Sequence, residues 1–180
     1  MRLPWKRPVA AAPETGRRVL MICMGNICRS PTAEGALRLR LERAGLAGQI
    51  GVDSAGTHGY HVGEPPDRRA QQHALKRGID LSRLRGRRVA EADFDRFDLL
   101  LAMDEDNLAE LARLRPEGHP NTPRLLLEFA RRYTEQREVP DPYYGGPDGF
   151  ERVLDLIEDA CDGVLIHLQQ SLAARHDTRP

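Results

Sequence analysis

Val19-Leu20-Met21-Ile22-Cys23-Met24-Gly25-Asn26-Ile27-Cys28-Arg29-Ser30-Pro31 is the stretch from which the fold can be read. Its first four residues are a short, continuous apolar run, the pattern of a strand buried on both faces. Ser30 is of a type that caps helices, and Pro31 suits a first helical turn. Ala33, Ala36, Leu37, Leu41 and Ala44 then recur at helical spacing until Gly45 stops the run. A buried strand passing through a tight loop into a helix is the opening of an α/β unit.

Outward from this unit the same alternation continues. A second strand is expected near Ile50 to Ser54, and a helix opens at Pro66-Asp67, runs through Ala70, Ala74 and Leu75, and ends at Gly78. Phe97 to Met103 reads as a third strand. Asp104 caps the helix after it, with Leu108, Leu111 and Ala112 on the apolar face. Leu125-Leu126-Leu127 is the expected fourth strand, and a long amphipathic helix starts near Asp148. Residues 1–17, rich in Pro, Ala and Arg, read as a flexible leader, 18–170 as one domain and 171–180 as a tail. Strands alternating with helices predict a single α/β domain, a parallel sheet with helices on both faces. Ligands bind such sheets outside the carboxyl ends of the strands, where Cys23 falls.

Bulk properties narrow the function classes. The chain has 180 residues, enough for one compact domain, and its 27 basic and 27 acidic residues leave no global field toward nucleic acid or membrane. Apolar runs fall short of a membrane span. Arg2, Lys6 and Arg7 are not followed by the apolar segment of a signal peptide. Three cysteines are too few for a disulfide scaffold, which points to a reducing compartment, the cytoplasm.

An anion would therefore be held by a local device, and the loop supplies one. Between a buried strand and a helix N-terminus, the backbone N–H groups of Met24, Gly25, Asn26, Ile27, Cys28, Arg29 and Ser30 can curl around a phosphate. Gly25 and Asn26 are residue types that tolerate the left-handed backbone of such a nest. Cys23 lies at its base, where N–H groups and the helix dipole favour a thiolate. Arg29, six residues on, is placed to grip two phosphate oxygens, and Ser30 to donate to the sulfur. Nucleophile, cradle and guanidinium are the parts needed to attack a phosphate monoester and form a phosphocysteine. The bland reading is a tight turn with a buried cysteine, which the Gly-Asn pair and the Arg-Ser-Pro ending argue against.

With these residues in view, the segment Cys23 to Pro31 resembles the signature loop of the low-molecular-weight protein tyrosine phosphatases. The resemblance continues through Asp53-Ser54-Ala55-Gly56-Thr57, Gly63 to Ala70, Phe97-Asp98, Met103-Asp104 and Asp141-Pro142-Tyr143-Tyr144-Gly145-Gly146. It spans nearly all of Val19 to Leu168. It implies a four-stranded parallel sheet flanked by helices, phosphotyrosine-bearing proteins as partners, and no metal or other cofactor. A small monomer is the default, with a weak dimer as the other state.

Asp141, read alone between two prolines, is either a turn former or an acid. Matched to the family's acid loop, it becomes the proton donor to the leaving tyrosinate and later the base that activates water. The resemblance also implies that Tyr60, Tyr143 and Tyr144 border the substrate ring beside Ile27, and that Cys28 is the redox partner of Cys23 rather than only a small core residue. His58 and His61, an H-x-x-H pair on a Gly-rich loop, read as loop residues and not as metal ligands. Cys161 reads as packing. The family often carries a His shortly after the Gly-Ile at the end of its second helix. Here Gly78-Ile79 leads to Asp80-Leu81-Ser82-Arg83, so loop support must come from elsewhere. The basic run Arg83 to Arg88 reads as a solvated face.

Three rivals remain. Thioredoxin-coupled arsenate reductases need two further cysteines past the middle of the chain, and none lies between Cys28 and Cys161. Protein arginine phosphatases share the loop but carry Thr where this chain has Ile27, whose apolar bulk suits a phenyl ring. A phosphate-binding module without turnover would be expected to lack Cys23 or Asp141, and both are present.

Overall fold

The computed structural model describes residues 16–143 and 145–177; most of the expected leader, Tyr144 and residues 178–180 of the expected tail lie outside the described residues. The elements are β1 (Arg17–Cys23), α1 (Arg29–Arg43), β2 (Ile50–Gly56), α2 (Arg68–Lys76), α3 (Asp93–Arg96), β3 (Leu99–Ala102), α4 (Glu105–Leu114), β4 (Arg124–Leu125), a 3-10 turn (Leu126–Phe129) and α5 (Pro147–Asp177). The sheet is four-stranded and parallel, in the order β2-β1-β3-β4.

β1 is apolar throughout because it is central. Val19 faces Val52 on one side and Leu99 on the other. Val19, Met21 and Cys23 point into one core with Ala33, Leu37 and the α5 residues Ile157 and Cys161, while Leu20 and Ile22 pack on Phe94, Phe97 and Leu111. Alternation along one strand thus builds two cores, and Cys23 ends the strand opposite Gly56, the last residue of β2, one position past the end of β3. Among the described residues no helix is long and apolar enough to cross a membrane.

Several local expectations need correction. Ser30 does not cap α1: the helix begins at Arg29 after Cys28, and the Ser30 hydroxyl turns to the Cys23 sulfur instead. Leu75 is exposed and Ala112 lies off the buried face of α4. α2 buries its Ala70/Ala74 stripe, and the neighbour of a buried helical position points about a quarter-turn away. The fourth strand pairs only over Arg124–Leu125, because Glu128 accepts the Leu125 N–H at 3.1 Å and bends the chain into the 3-10 turn. α3 is four residues long, too short to leave a periodic signal. α5 runs on across residue 170, with Leu172 packed on the core.

α5 also docks the segment that carries Asp141. A β-carbon on Gly163 would stand 1.8 Å from the Phe129 carbonyl oxygen, so only glycine permits this approach. One helical turn earlier, buried Asp159 accepts the N–H groups of Arg131 (3.0 Å), Arg132 (2.9 Å) and Tyr133 (3.2 Å). Burial pushes the Asp159 carboxyl up, but the three N–H donors and Arg132 outweigh it and hold it below the usual carboxylate range. A depressed carboxyl stabilises the fold above its unfolded value, and that contribution fades as pH falls through its folded value. Asp159→Asn is therefore expected to lower the unfolding free energy by about 2 kcal/mol at neutral pH. In urea titrations the deficit should shrink as the pH drops below about 4; a pH-independent deficit would count against this account.

Candidate active site

The loop between β1 and α1 takes its shape from Asn26. Its φ of 57° makes it the non-glycine residue in the left-handed region among those described. Gly25, expected to share that conformation, does not adopt it. It is small for another reason: a β-carbon there would lie 3.1 Å from Cδ2 of His61. Asn26 Nδ2 donates to Ser30 Oγ and to Ser54 Oγ, both at 2.9 Å, and its Oδ1 accepts the Arg87 N–H at 2.9 Å. The loop also follows β2 onward, with Thr57 N donating to the Cys23 carbonyl at 2.9 Å and His58 N to that of Met24 at 3.0 Å. Gly56 allows this contact, since its β-carbon would stand 2.8 Å from the Met24 oxygen.

Cys23, 3% exposed, lies at the base of the cleft. Its sulfur is 3.0 Å from Ser30 Oγ and receives the Asn26 N–H at 3.3 Å. Both contacts strengthen as negative charge builds on sulfur. Arg29 reaches back from the first turn of α1, itself almost wholly buried. Its Nη1 binds Asp104 Oδ2 at 2.5 Å and the Val139 carbonyl at 3.0 Å, and its Nη2 lies 3.4 Å from Asp141 Oδ2. Burial works against the Arg29 charge, but Cys23, Asp104 and Asp141 outweigh it and hold the guanidinium protonated.

The cleft brings together Cys23, Met24, Gly25, Ile27, Cys28, Arg29, Tyr60, His61, Asp141 and Tyr143. Asn26 and Ser30 lie buried beneath it. Asp141 is 40% exposed on its side chain and accepts the Tyr143 N–H at 3.0 Å, which aims one carboxylate edge into the opening. Tyr143 is steadied from outside by the Arg69 guanidinium, 5.5 Å from its ring centre and pinned to Asp67 at 2.9 Å. Ile27 packs on Cys28, Ala70 and Phe150. The H-x-x-H pair divides its contacts: His58 Nδ1 meets Thr57 Oγ1 at 2.9 Å, and His61 Nδ1 meets Glu64 Oε2 at 2.6 Å.

All three cysteines are free thiols. Burial, aided by Asp67, Cys23 and Asp141, pushes the Cys28 thiol far up. Burial pushes Cys161 up to about 12. Both therefore stay protonated as thiols in the resting site at neutral pH.

Three contributors escape the sequence reading. Asp104, expected as a cap, does cap α4 through the Asn107 N–H at 2.7 Å, but its other oxygen holds Arg29. Its position at the carboxyl end of β3 was the available signal. Arg87 departs from the solvated face expected of residues 83–88: its guanidinium binds Asp53 at 2.9 Å and Asp93 at 2.8 Å while its backbone supports Asn26. Glu34, fully buried in α1, accepts the Ser54 hydroxyl at 2.5 Å. Through Asn26 and Ser54, these last two support the loop from beneath.

Residues 18–175 match the family described as low molecular weight phosphotyrosine protein phosphatase. A low-molecular-weight protein-tyrosine-phosphatase of Bacillus subtilis is 40% identical over 154 residues, covering 84% of this chain and 96% of the relative. Among solved structures, a protein tyrosine phosphatase of Entamoeba histolytica with Hepes in its active site superposes with a TM-score of 0.83 at 38% identity, covering 87% of this chain and 99% of that one. A Drosophila arginine phosphatase superposes with a TM-score of 0.76 at 34% identity, covering 83% and 96%.

Proposed function

We infer the activity of this chain from the family to which it belongs, the low-molecular-weight phosphotyrosine protein phosphatases, and from the geometry around Cys23. It is a cysteine-dependent protein tyrosine phosphatase that acts on phosphotyrosine in proteins. The observation that carries the division of roles is the convergence of Cys23, Arg29 and Asp141 on one cleft.

In this reading the phosphoryl group enters the loop, its oxygens taking the backbone N–H groups of residues 24–30 and the Arg29 guanidinium. Arg29 Nη2, in contact with Asp141 in the substrate-free site, turns to the phosphate and frees Asp141 toward the leaving oxygen. The Cys23 thiolate attacks phosphorus, the bond to the tyrosyl oxygen breaks, and Asp141 in its acid form protonates that oxygen. Water then attacks the phosphocysteine, giving a proton to the Asp141 carboxylate. The sulfur leaves as a thiolate met by the Ser30 hydroxyl, and inorganic phosphate departs. Ile27, Tyr60 and Tyr143 border the slot for the phenyl ring, a depth that phosphoserine would not span. Balanced charge and three free thiols fit a cytoplasmic monomer without nucleic-acid or membrane partners.

Cys28 gives the site a redox role. A peroxide oxidises Cys23 to the sulfenic acid with loss of water, and the Cys28 thiol displaces a second water to form the Cys23–Cys28 disulfide. Excess peroxide drives an unshielded sulfenic acid on to the irreversible sulfinic acid, so inactivation under excess should be reversed by dithiothreitol in the native chain but not in Cys28→Ser; equal recovery would remove Cys28 from this role.

A second reading, phosphoarginine hydrolysis, is favoured by the similarity to the Drosophila arginine phosphatase. Ile27 argues against it, since its apolar side chain faces where a charged phosphoguanidinium would lie. Steady-state hydrolysis of phosphotyrosine, phosphoserine and phosphoarginine peptides separates the readings, with Cys23→Ser as the blank. Turnover confined to phosphotyrosine and absent from the blank is expected; preference for phosphoarginine would keep the chemistry and overturn the substrate. Asp141→Asn is expected to cut turnover of aryl phosphates with poor leaving groups by roughly a hundredfold or more and of good ones far less. Equal slowing of both would remove Asp141 as the acid.

A further inference from the structure

Glu34 takes no part in the steps above, yet it is 0% exposed and stands in the first half of α1, facing the loop. A carboxylate without solvent is retained only where its oxygens are paired. Its Oε1 lies 2.7 Å from Arg38 Nη2 in an ionic contact, while that nitrogen donates to the Val52 carbonyl at 2.8 Å. Its Oε2 is 2.5 Å from Ser54 Oγ. From Ser54 the bonds run on through Asn26 Nδ2 to Ser30 Oγ, and from Ser30 to the Cys23 sulfur.

The direction of each bond follows from the two ends. The Arg87 N–H can only donate, so it claims Asn26 Oδ1 and turns Nδ2 toward both serines. An ionised Glu34 can only accept, so the Ser54 proton points at it and the Ser54 lone pair is left for Nδ2. Ser30, already accepting the other Nδ2 proton, has its own hydroxyl proton left for the thiolate sulfur at 3.0 Å, with the Ala55 carbonyl, at 3.4 Å, the more distant and uncharged competitor. We propose that Glu34 is a positioning residue for the phosphatase reaction, a buried acceptor that orients the Ser54–Asn26–Ser30 relay so that the Ser30 hydroxyl donates to Cys23 as thiolate and as leaving group. The proposal rests on the phosphatase reading for its kinetic consequence, but its first readout needs no substrate.

That readout separates orientation from charge by sign. If Glu34 were merely a nearby negative charge, removing it and leaving the Arg38 charge without its counter-ion would favour the thiolate and speed iodoacetate alkylation of Cys23 in mildly acidic buffer. If Glu34 orients the relay, Arg38 claims the single amide oxygen of Glu34→Gln and leaves an N–H facing Ser54, so the Ser54 proton loses its acceptor, the Ser30 donor is less well aimed, and alkylation at that pH slows by about tenfold. Glu34→Asp keeps the charge but withdraws the carboxylate from Ser54, and should slow alkylation in the same direction. It carries the test if Glu34→Gln does not fold. Ser54→Ala should match Glu34→Gln, and the double variant should cost no more than either alone. With a phosphotyrosine peptide, kcat should fall while KM stays within about twofold, because neither side chain touches the phosphate. Faster alkylation in Glu34→Gln, unchanged alkylation in the folded variants, or additive losses in the double variant would overturn the proposal. Normal alkylation shifts with no turnover on any phosphopeptide would instead strike the phosphatase reading.

Discussion

Asn26 holds a backbone conformation (φ 57°) that a β-carbon disfavours, and three side-chain hydrogen bonds keep it there. Those bonds reach α1 through Ser30, β2 through Ser54 and the connection before α3 through Arg87. One side chain therefore ties the loop to three separate parts of the chain. Its own N–H is thereby turned onto the Cys23 sulfur. Parallel strands deliver these pieces to the same end of the sheet, and the amide of Asn26 fixes their mutual distances.

Arg29 performs the matching task on the other side of the cleft. It is held by Asp104 at the end of β3, by the Val139 carbonyl and by Asp141. Val139 in turn donates its N–H to the Met103 carbonyl at 2.8 Å, which joins the acid-bearing segment to the sheet. Further back, Asp159 and Gly163 on α5 hold residues 129–133. Asp141 is thus aimed by a chain of contacts that begins in the helix core, although it lies in a loop. With 27 basic and 27 acidic residues, the chain carries no net formal charge with which to draw a phosphate. Attraction is local, and it is strong there because Arg29 is almost removed from water.

The sheet and the cleft were legible because their signals are local and redundant. A buried strand, a loop of Cys, Gly and Asn, and a helix starting at Arg-Ser-Pro occupy thirteen consecutive residues from Val19 to Pro31. The apolar runs of β1 and β3 needed no partner to be recognised. Glu34 and Arg87 were not legible, because a charged residue in a helix or a basic run reads as solvated until a tertiary partner appears. Ser30 misled for the opposite reason. Its type suits a cap, but the nucleophile competes for the same hydroxyl and wins. The short β4 reflects a side-chain acceptor, Glu128, taking the place of a strand neighbour, which no period-two pattern encodes.

The central claim is that phosphoryl transfer passes through the Cys23 sulfur. Rapid quenching of the enzyme during turnover of a phosphotyrosine peptide, followed by digestion and mass spectrometry, tests it directly. The account predicts one phosphoryl group on the peptide that contains Cys23, formed with a stoichiometric burst of dephosphorylated peptide. A phosphoryl group on any other side chain, or steady turnover with no burst in Cys23→Ser and undiminished rate, would contradict it.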